Sequence, residues 1–161
     1  MTEIRLRDAT PEDRETLWRF LAALQEFERE SDPNRIPGPD MAVLHLEALE
    51  DWVGQHYAGG NVIAEIDGRP AGWALFAVAQ VHGFMVPEAY RLIGQLSDLW
   101  VEPEFRGAGV ASALVQEAER RFRAAGIKRL HITAIASNAR AIGLYQSLGY
   151  APFEVALGKS L

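Results

Sequence analysis

Hydrophobic positions change period several times along this chain, and each change marks an element. Ile4 and Leu6 alternate with charged residues, the two-residue period of a strand. Thr10-Pro11-Glu12-Asp13 offers an N-cap residue, a proline at the first helical position and an acid three residues past the cap, so a helix is predicted to start there. Leu17, Leu21, Leu24 and Phe27 keep helical spacing until Ser31-Asp32-Pro33-Asn34 and Pro37-Gly38-Pro39-Asp40 interrupt it. Met41, Leu44, Ala48 and Trp52 open a second helical face. Asn61 to Ile66 and Ala71 to Ala79 read as the arms of a hairpin, with Asp67-Gly68 supplying a tight turn. Leu96 to Val101 is extended and apolar. Val110 to Ala125 is strongly helical, with Val110, Leu114, Ala118 and Phe122 on its apolar stripe, Arg120, Arg121 and Arg123 on a solvated back, and Gly126 as its stop. Leu130 to Ile135 is strand-like, Asn138 to Leu148 is a short helix closed by Gly149, and Phe153 to Leu157 is the last predicted strand.

Length and composition narrow the class. A chain of 161 residues without cysteine forms one domain, 1–161, large enough for its own core and without a disulfide framework. No repeat or low-complexity tract divides it. The longest apolar run, around Ala71 to Ala79, is too short to span a bilayer, and Met1 to Arg7 lacks a signal-peptide core, so a cytoplasmic protein with no membrane partner is expected. The formal net charge of -6 disfavours nonspecific nucleic-acid binding, and no nucleic-acid partner is expected.

The chemistry concentrates where the extended segment ending at Val101 gives way to the helix starting at Val110. Arg106-Gly107-Ala108-Gly109-Val110-Ala111 places two glycines and an arginine at that junction. Glycine lets the chain adopt φ > 0 and lets a ligand approach the backbone, and the first N–H groups of a helix lack intrahelical partners. Together with the helix dipole, this makes a site for phosphate or pyrophosphate. A dinucleotide fingerprint does not fit, because Ser112 holds the place of the last glycine, Glu102-Pro103-Glu104-Phe105 separates the motif from its strand, and the segment His131 to Ala136 ends without an acid. Nor does a P-loop: Gly158-Lys159-Ser160 lacks the earlier glycine, which would fall at Phe153. A His-Glu-x-x-His pair, a cysteine ligand and a Gly-x-Ser-x-Gly elbow are all missing from the sequence, so neither metal-dependent hydrolysis nor a serine nucleophile has a candidate.

Arg106 to Ala111 resembles the Arg/Gln-x-x-Gly-x-Gly/Ala motif of the GNAT superfamily of acyl-CoA-dependent N-acetyltransferases. Asn138 to Tyr150 is similar to that superfamily's Asn-x-x-Ala-x-x-Leu-Tyr-x-x-x-Gly-Phe/Tyr segment, in the expected order and at the expected distance. The resemblance is strong from Leu96 to Tyr150 and only topological before it. It implies an α/β fold, a central, twisted mixed sheet with splayed parallel strands flanked by helices. It also implies acetyl-CoA as cosubstrate, with no metal, held by Arg106, Gly107, Ala108, Gly109, Val110 and Ala111 at the pyrophosphate and by open backbone groups of Leu99 and Val101 along the pantetheine arm. Asn138 caps its helix or bonds the cofactor, two compatible roles.

Transfer to an amine needs three things: a group to take the amine's proton, a donor to the oxyanion and a proton donor to the departing thiolate. Tyr145 is the candidate acid, since a phenol of pKa ~10 is protonated at pH 7 and meets a thiolate whose conjugate acid is near ~8.5. A core aromatic is the alternative, because Tyr145 shares a helical face with Ala141 and Leu148. Asp98, or a water held by Ser97, is the candidate base, with a structural carboxylate as the alternative. Glu26, Glu28 and Asp32 lie on a solvated helix end or along an amine entrance. The acceptor is a primary amine of a small molecule or peptide, its pocket formed by Leu17 to Trp52 and the loop Val81 to Ile93. Apolar Val81 to Val86 points to a lid or to a homodimer contact. Two other readings stand beside the enzyme: a noncatalytic acyl-CoA-binding or sensing domain, separated from it by release of free thiol over an amine panel, and a nucleotide-binding module, separated by a preference for ATP over CoA.

Overall fold

The structure is a computed structural model describing residues 3–82, 85–159 and 161. Its sheet runs β1 (Ile4–Asp8), β2 (Gly60–Ile66), β3 (Arg69–Gln80), β4 (Leu92–Val101) and β5 (Leu130–Ile132), in that order. The first four strands pair antiparallel and β5 lies parallel to β4. β3 is central and covered on both faces, which is why Ala71 to Val78 is an unbroken run of buried residues. At the β2–β3 turn, Asp67 and Gly68 adopt φ of 50° and 73°, the left-handed pair that a two-residue hairpin demands.

Helices α1 (Arg14–Arg29) and α2 (Gly38–Val53) cover one face, where Leu17, Phe20, Leu21, Leu46 and Leu49 pack on Ile63, Trp73, Leu75 and Trp100. Helix α3 (Val110–Ala124) covers the other, setting Val110, Leu114, Val115, Ala118 and Phe122 against Val62, Ala74, Phe76 and Leu96. Helix α4 (Ala139–Ser147) follows β5. In α2 the predicted face is corrected: Leu44 and Ala48 are exposed, and Ala42, Leu46 and Leu49 form the buried stripe. Gly38 permits the close approach of α2 to α1, because a Cβ there would stand 2.3 Å from the carbonyl oxygen of Ala22.

Other boundaries move for identifiable reasons. The helix predicted at Thr10 starts as a 3-10 turn over Pro11–Asp13. The acid expected three residues past the cap is in place: the Asp13 carboxylate accepts from the Thr10 N–H at 2.8 Å, from the Thr10 hydroxyl at 3.1 Å and from both terminal nitrogens of Arg7 at 2.6 and 2.7 Å. Arg121 is not merely solvated, since it bridges Asp8 and Glu117 at 2.8 Å each and ties α3 to β1. The strand predicted to Ile135 stops at Ile132, where β4 has turned away from it. Phe153 to Leu157 is not a strand within this chain: residues 151–159 have no ladder partner among the described residues. Of the segment Val81 to Val86, Gly83 and Phe84 lie outside the described residues, while Met85 is exposed.

The Arg7 contact holds the Asp13 carboxyl well below the usual carboxylate range. A depressed folded value means that the contact stabilises the fold above the unfolded value near pH ~3.9 and is lost as pH falls below it. Asp13→Asn is therefore expected to cost about 2 kcal/mol at pH 7, the worth of hydrogen bonds to a charged group. In urea titrations that difference should shrink steadily as pH falls below ~4 toward the depressed folded value; a pH-independent difference would rule out the ion pair as its source.

Candidate active site

The register of β4 against β3 steps from Leu75↔Asp98 to Phe76↔Leu96, which leaves Ser97 as a bulged residue. Pairing of β4 with β5 covers only Gly94 to Leu96. The two parallel strands therefore part at the bulge, and the wedge between them opens toward the C-terminal ends of the strands.

Strand parity settles what lines this wedge. The N–H of Glu102 donates across to Ala71 at 3.0 Å, and backbone groups alternate sides along a strand, so Leu99 and Val101 turn theirs away from β3 and into the wedge. Leu99 thus has the open edge expected of it. Val101 departs from expectation, because its carbonyl accepts from Arg106 Nε at 3.1 Å. The Arg106 guanidinium also lies over the Trp100 ring, 5.0 Å from its centroid, a support that no local sequence pattern signals.

Beyond β4 the glycine turn has the conformation its sequence requires. Gly107 and Gly109 have φ of 88° and 87°, and Gly109 is the N-cap of α3. A Cβ at Gly107 would meet nothing within 4 Å and one at Gly109 only Ile4 Cδ1 at 3.8 Å, so glycine is needed for backbone angle and the space above the turn is open. Ala113 N–H bonds Gly109, whereas the N–H groups of Val110, Ala111 and Ser112 have no partner among the described residues. Open left-handed glycines, free N–H groups and a helix N-terminus fit a pyrophosphate. Gly109→Val forces a β-branched residue to φ > 0, a strain of about 1–3 kcal/mol, so CoA affinity is expected to fall roughly 5–150-fold by calorimetry. Undiminished affinity in the folded variant would remove the turn from the binding site.

Asp98 and Tyr145 stand on opposite faces of β4. Asp98 faces the α1–α2 layer and is 9% exposed, and its Oδ2 is buried without a hydrogen-bond partner among the described residues. Burial pushes its carboxyl above the usual range, against the opposing pull of Ser97, His45 and Arg35. Glu28, half-buried on α1, is likewise raised by burial and further by Asp98, although Arg35 bonds it at 2.6 Å. Arg35 and His45 gave no local sequence signal; only the packing of α1, α2 and the loop between them on this face of the sheet brings them near. Glu26 accepts from the Gly38 N–H at 2.6 Å and lines a groove of about 610 Å³ with Ala23, Phe27, Arg29, Glu30, Pro33 and Trp100. Asp32 sits outside that groove lining, 3.8 Å from Arg35.

On the other face, α4 begins at Asn138, whose Oδ1 accepts from the Ala141 N–H at 3.1 Å, so the capping role is present. Tyr145, like Leu99 and Val101, is partly buried against the core cluster on the α3 side of the sheet. Its hydroxyl has no hydrogen-bond partner among the described residues, and burial raises its pKa to about 12. Tyr150, by contrast, donates to Glu119 at 2.8 Å and anchors the end of α4 to α3. Ser31 and Ser137 share a hydroxyl contact of 2.8 Å, joining the α1–α2 connection to the β5–α4 loop.

The family model described as the acetyltransferase (GNAT) family matches residues 20–150. Acetyltransferase ECA0875 of Pectobacterium atrosepticum is 35% identical over 94 residues, covering 54% of this chain and 65% of that relative. Among solved structures, the apo aminoglycoside antibiotic 6'-N-acetyltransferase AAC(6')-IG from Acinetobacter haemolyticus superposes with a TM-score of 0.73 at 16% identity over 98% of this chain and 97% of that one. AAC(6')-Iy, in complex with the bisubstrate analog CoA-S-monomethyl-acetylneamine, superposes with a TM-score of 0.70 at 19% identity over 99% of both chains.

Proposed function

The chain belongs to the acetyltransferase (GNAT) family, and from that premise we propose that it transfers acetyl from acetyl-CoA to a primary amine of a small molecule or peptide by direct attack. The observation that carries this reading is the wedge at Ser97. It presents the open Leu99 edge between a carboxylate on one face of β4 and a phenol on the other.

Each residue has a task that its surroundings suit. The turn Arg106 to Ala111 holds the pyrophosphate, and the terminal nitrogens of Arg106, without a hydrogen-bond partner among the described residues, add charge to it while Nε stays on Val101. The Leu99 N–H polarises the thioester carbonyl and stabilises charge on its oxygen. Asp98, on the α1–α2 side, takes the amine proton; a raised carboxyl pKa makes it a stronger base than a solvated aspartate. Tyr145, on the α3–α4 side, donates to the departing thiolate. Because burial lifts its pKa to about 12, well above a thiol near ~8.5, it acts chiefly as a hydrogen-bond donor and stays protonated at physiological pH. Glu26 and Glu30 line the groove beside Arg29, which pairs with Glu26 at 2.8 Å, and the neighbouring aminoglycoside acetyltransferases support a small-molecule amine.

The direct test is release of CoA thiol from acetyl-CoA over a panel of amines, beside calorimetric titration with CoA. Amine-dependent thiol release is expected. Tight CoA binding with no release for any amine would replace the enzyme by an acyl-CoA-binding domain, and a preference for ATP would overturn the cofactor as well.

A further inference from the structure

Trp100 stands between the acceptor groove and the phosphate turn. Its indole is 9% exposed, belongs to the core cluster of Leu17, Phe20 and Leu21 on α1, and is the register partner of Trp73 on β3. The ring nitrogen donates to Glu102 Oε2 at 3.1 Å, and Arg19 of α1 pairs with the other carboxylate oxygen of Glu102. Core packing sets the depth of the indole, and the hydrogen bond, whose acceptor is itself held, sets its tilt.

Arg106 is the opposite case. It is exposed and precedes a glycine turn with open space above it, a setting in which an arginine samples many rotamers. Two contacts remove that freedom here. Nε donates to the Val101 carbonyl at 3.1 Å, and the guanidinium carbon lies 5.0 Å from the Trp100 ring centroid. A guanidinium stacks on a ring through its flat face and meets a phosphate through its edge, where the two terminal nitrogens form a fork. The contact with Trp100 therefore leaves the fork available to an anion.

We infer that Trp100 is a positioning residue for the cofactor: it holds Arg106 in the rotamer that meets the pyrophosphate, and Glu102 and Arg19 hold Trp100. This role rests on the cofactor assignment made above. An arginine already ordered before the ligand arrives loses less side-chain freedom on binding, and that difference is what Trp100 contributes to affinity. The line Arg19, Glu102, Trp100, Arg106 also ties α1, which walls the groove through Ala23, Glu26 and Phe27, to the phosphate turn.

A double-mutant cycle read by calorimetry with CoA alone tests this role. No amine is present, so the groove wall that Trp100 also forms does not enter the measurement. Arg106→Ala is expected to weaken CoA binding roughly 10–150-fold, the worth of hydrogen bonds from a charged group. Trp100→Leu is expected to weaken it roughly 2–12-fold in the unaltered background, as the loss of one pre-ordered side chain does, and not at all beside Arg106→Ala. Trp100→Phe keeps a smaller ring face, is expected to lose roughly 2–4-fold, and carries the same cycle where Trp100→Leu does not fold. Undiminished affinity in the Trp100 variants overturns the positioning role. So does an equal loss in both backgrounds, which would make Trp100 a packing residue only. Undiminished affinity in Arg106→Ala overturns it as well, leaving the pyrophosphate to the backbone of the turn. An unaltered chain that binds no CoA would instead overturn the cofactor assignment, and the positioning role with it.

Discussion

Tyr145→Phe is expected to lower turnover about 10²-fold while leaving acetyl-CoA affinity and thermal stability nearly unchanged. The ring packs with the cluster under α3, and phenylalanine keeps that packing. The hydroxyl has no protein partner among the described residues, so its removal strands no donor or acceptor in the fold. General-acid loss spans ~10²–10⁴, and the low end applies because full transfer from a phenol near pKa 12 to a thiolate is uphill. A hydrogen bond to a charged acceptor is worth about 1.5–3 kcal/mol, which gives a similar factor. Steady-state turnover with a responsive amine, beside calorimetric CoA affinity, decides the matter. Turnover within a few-fold of normal would reduce Tyr145 to a packing residue. The pH profile adds a second check, because no alkaline loss attributable to Tyr145 should appear below pH ~11.

Asp98→Asn is expected to separate stability from activity in opposite directions. The folded carboxyl is raised above its unfolded value by burial, so ionising it costs the fold stability at every pH above that unfolded value. Removing the charge should leave the melting temperature at pH 7 unchanged or higher, and the advantage should vanish below pH ~4, where both states are protonated. Turnover should fall by ~10²–10⁴ if Asp98 takes the amine proton, and the acid limb of the pH profile should go with it. A structural carboxylate predicts the reverse: lower stability and little change in rate. Residual activity that keeps the same acid limb would move the base to Glu28 or to a water.

The physical split between chain and fold is visible residue by residue. Motifs that act through local backbone geometry were legible from the sequence. Gly107 and Gly109 take positive φ, Asp67-Gly68 makes its tight turn, and Asn138 caps its helix, each because the requirement is met within a few residues. The helices and the central strands were legible as well, since periodicity reports which side of an element is buried. Where a helix face depends on what it meets, the sequence misled: Leu44 and Ala48 are outside because Ala42, Leu46 and Leu49 are the residues that meet α1 and the sheet. Strand ends misled for the same reason. β5 stops at Ile132 and residues 151–159 remain without a ladder because a strand exists only where a neighbour accepts its hydrogen bonds. The sequence by itself determined the left-handed glycine turn before α3, the capped helix carrying Tyr145 and the family to which both belong. Only the tertiary structure decided the bulge at Ser97, the wedge it opens, and the burial of Asp98 beside Glu28, Arg35 and His45, because each depends on groups far apart in the chain that meet only when the layers close.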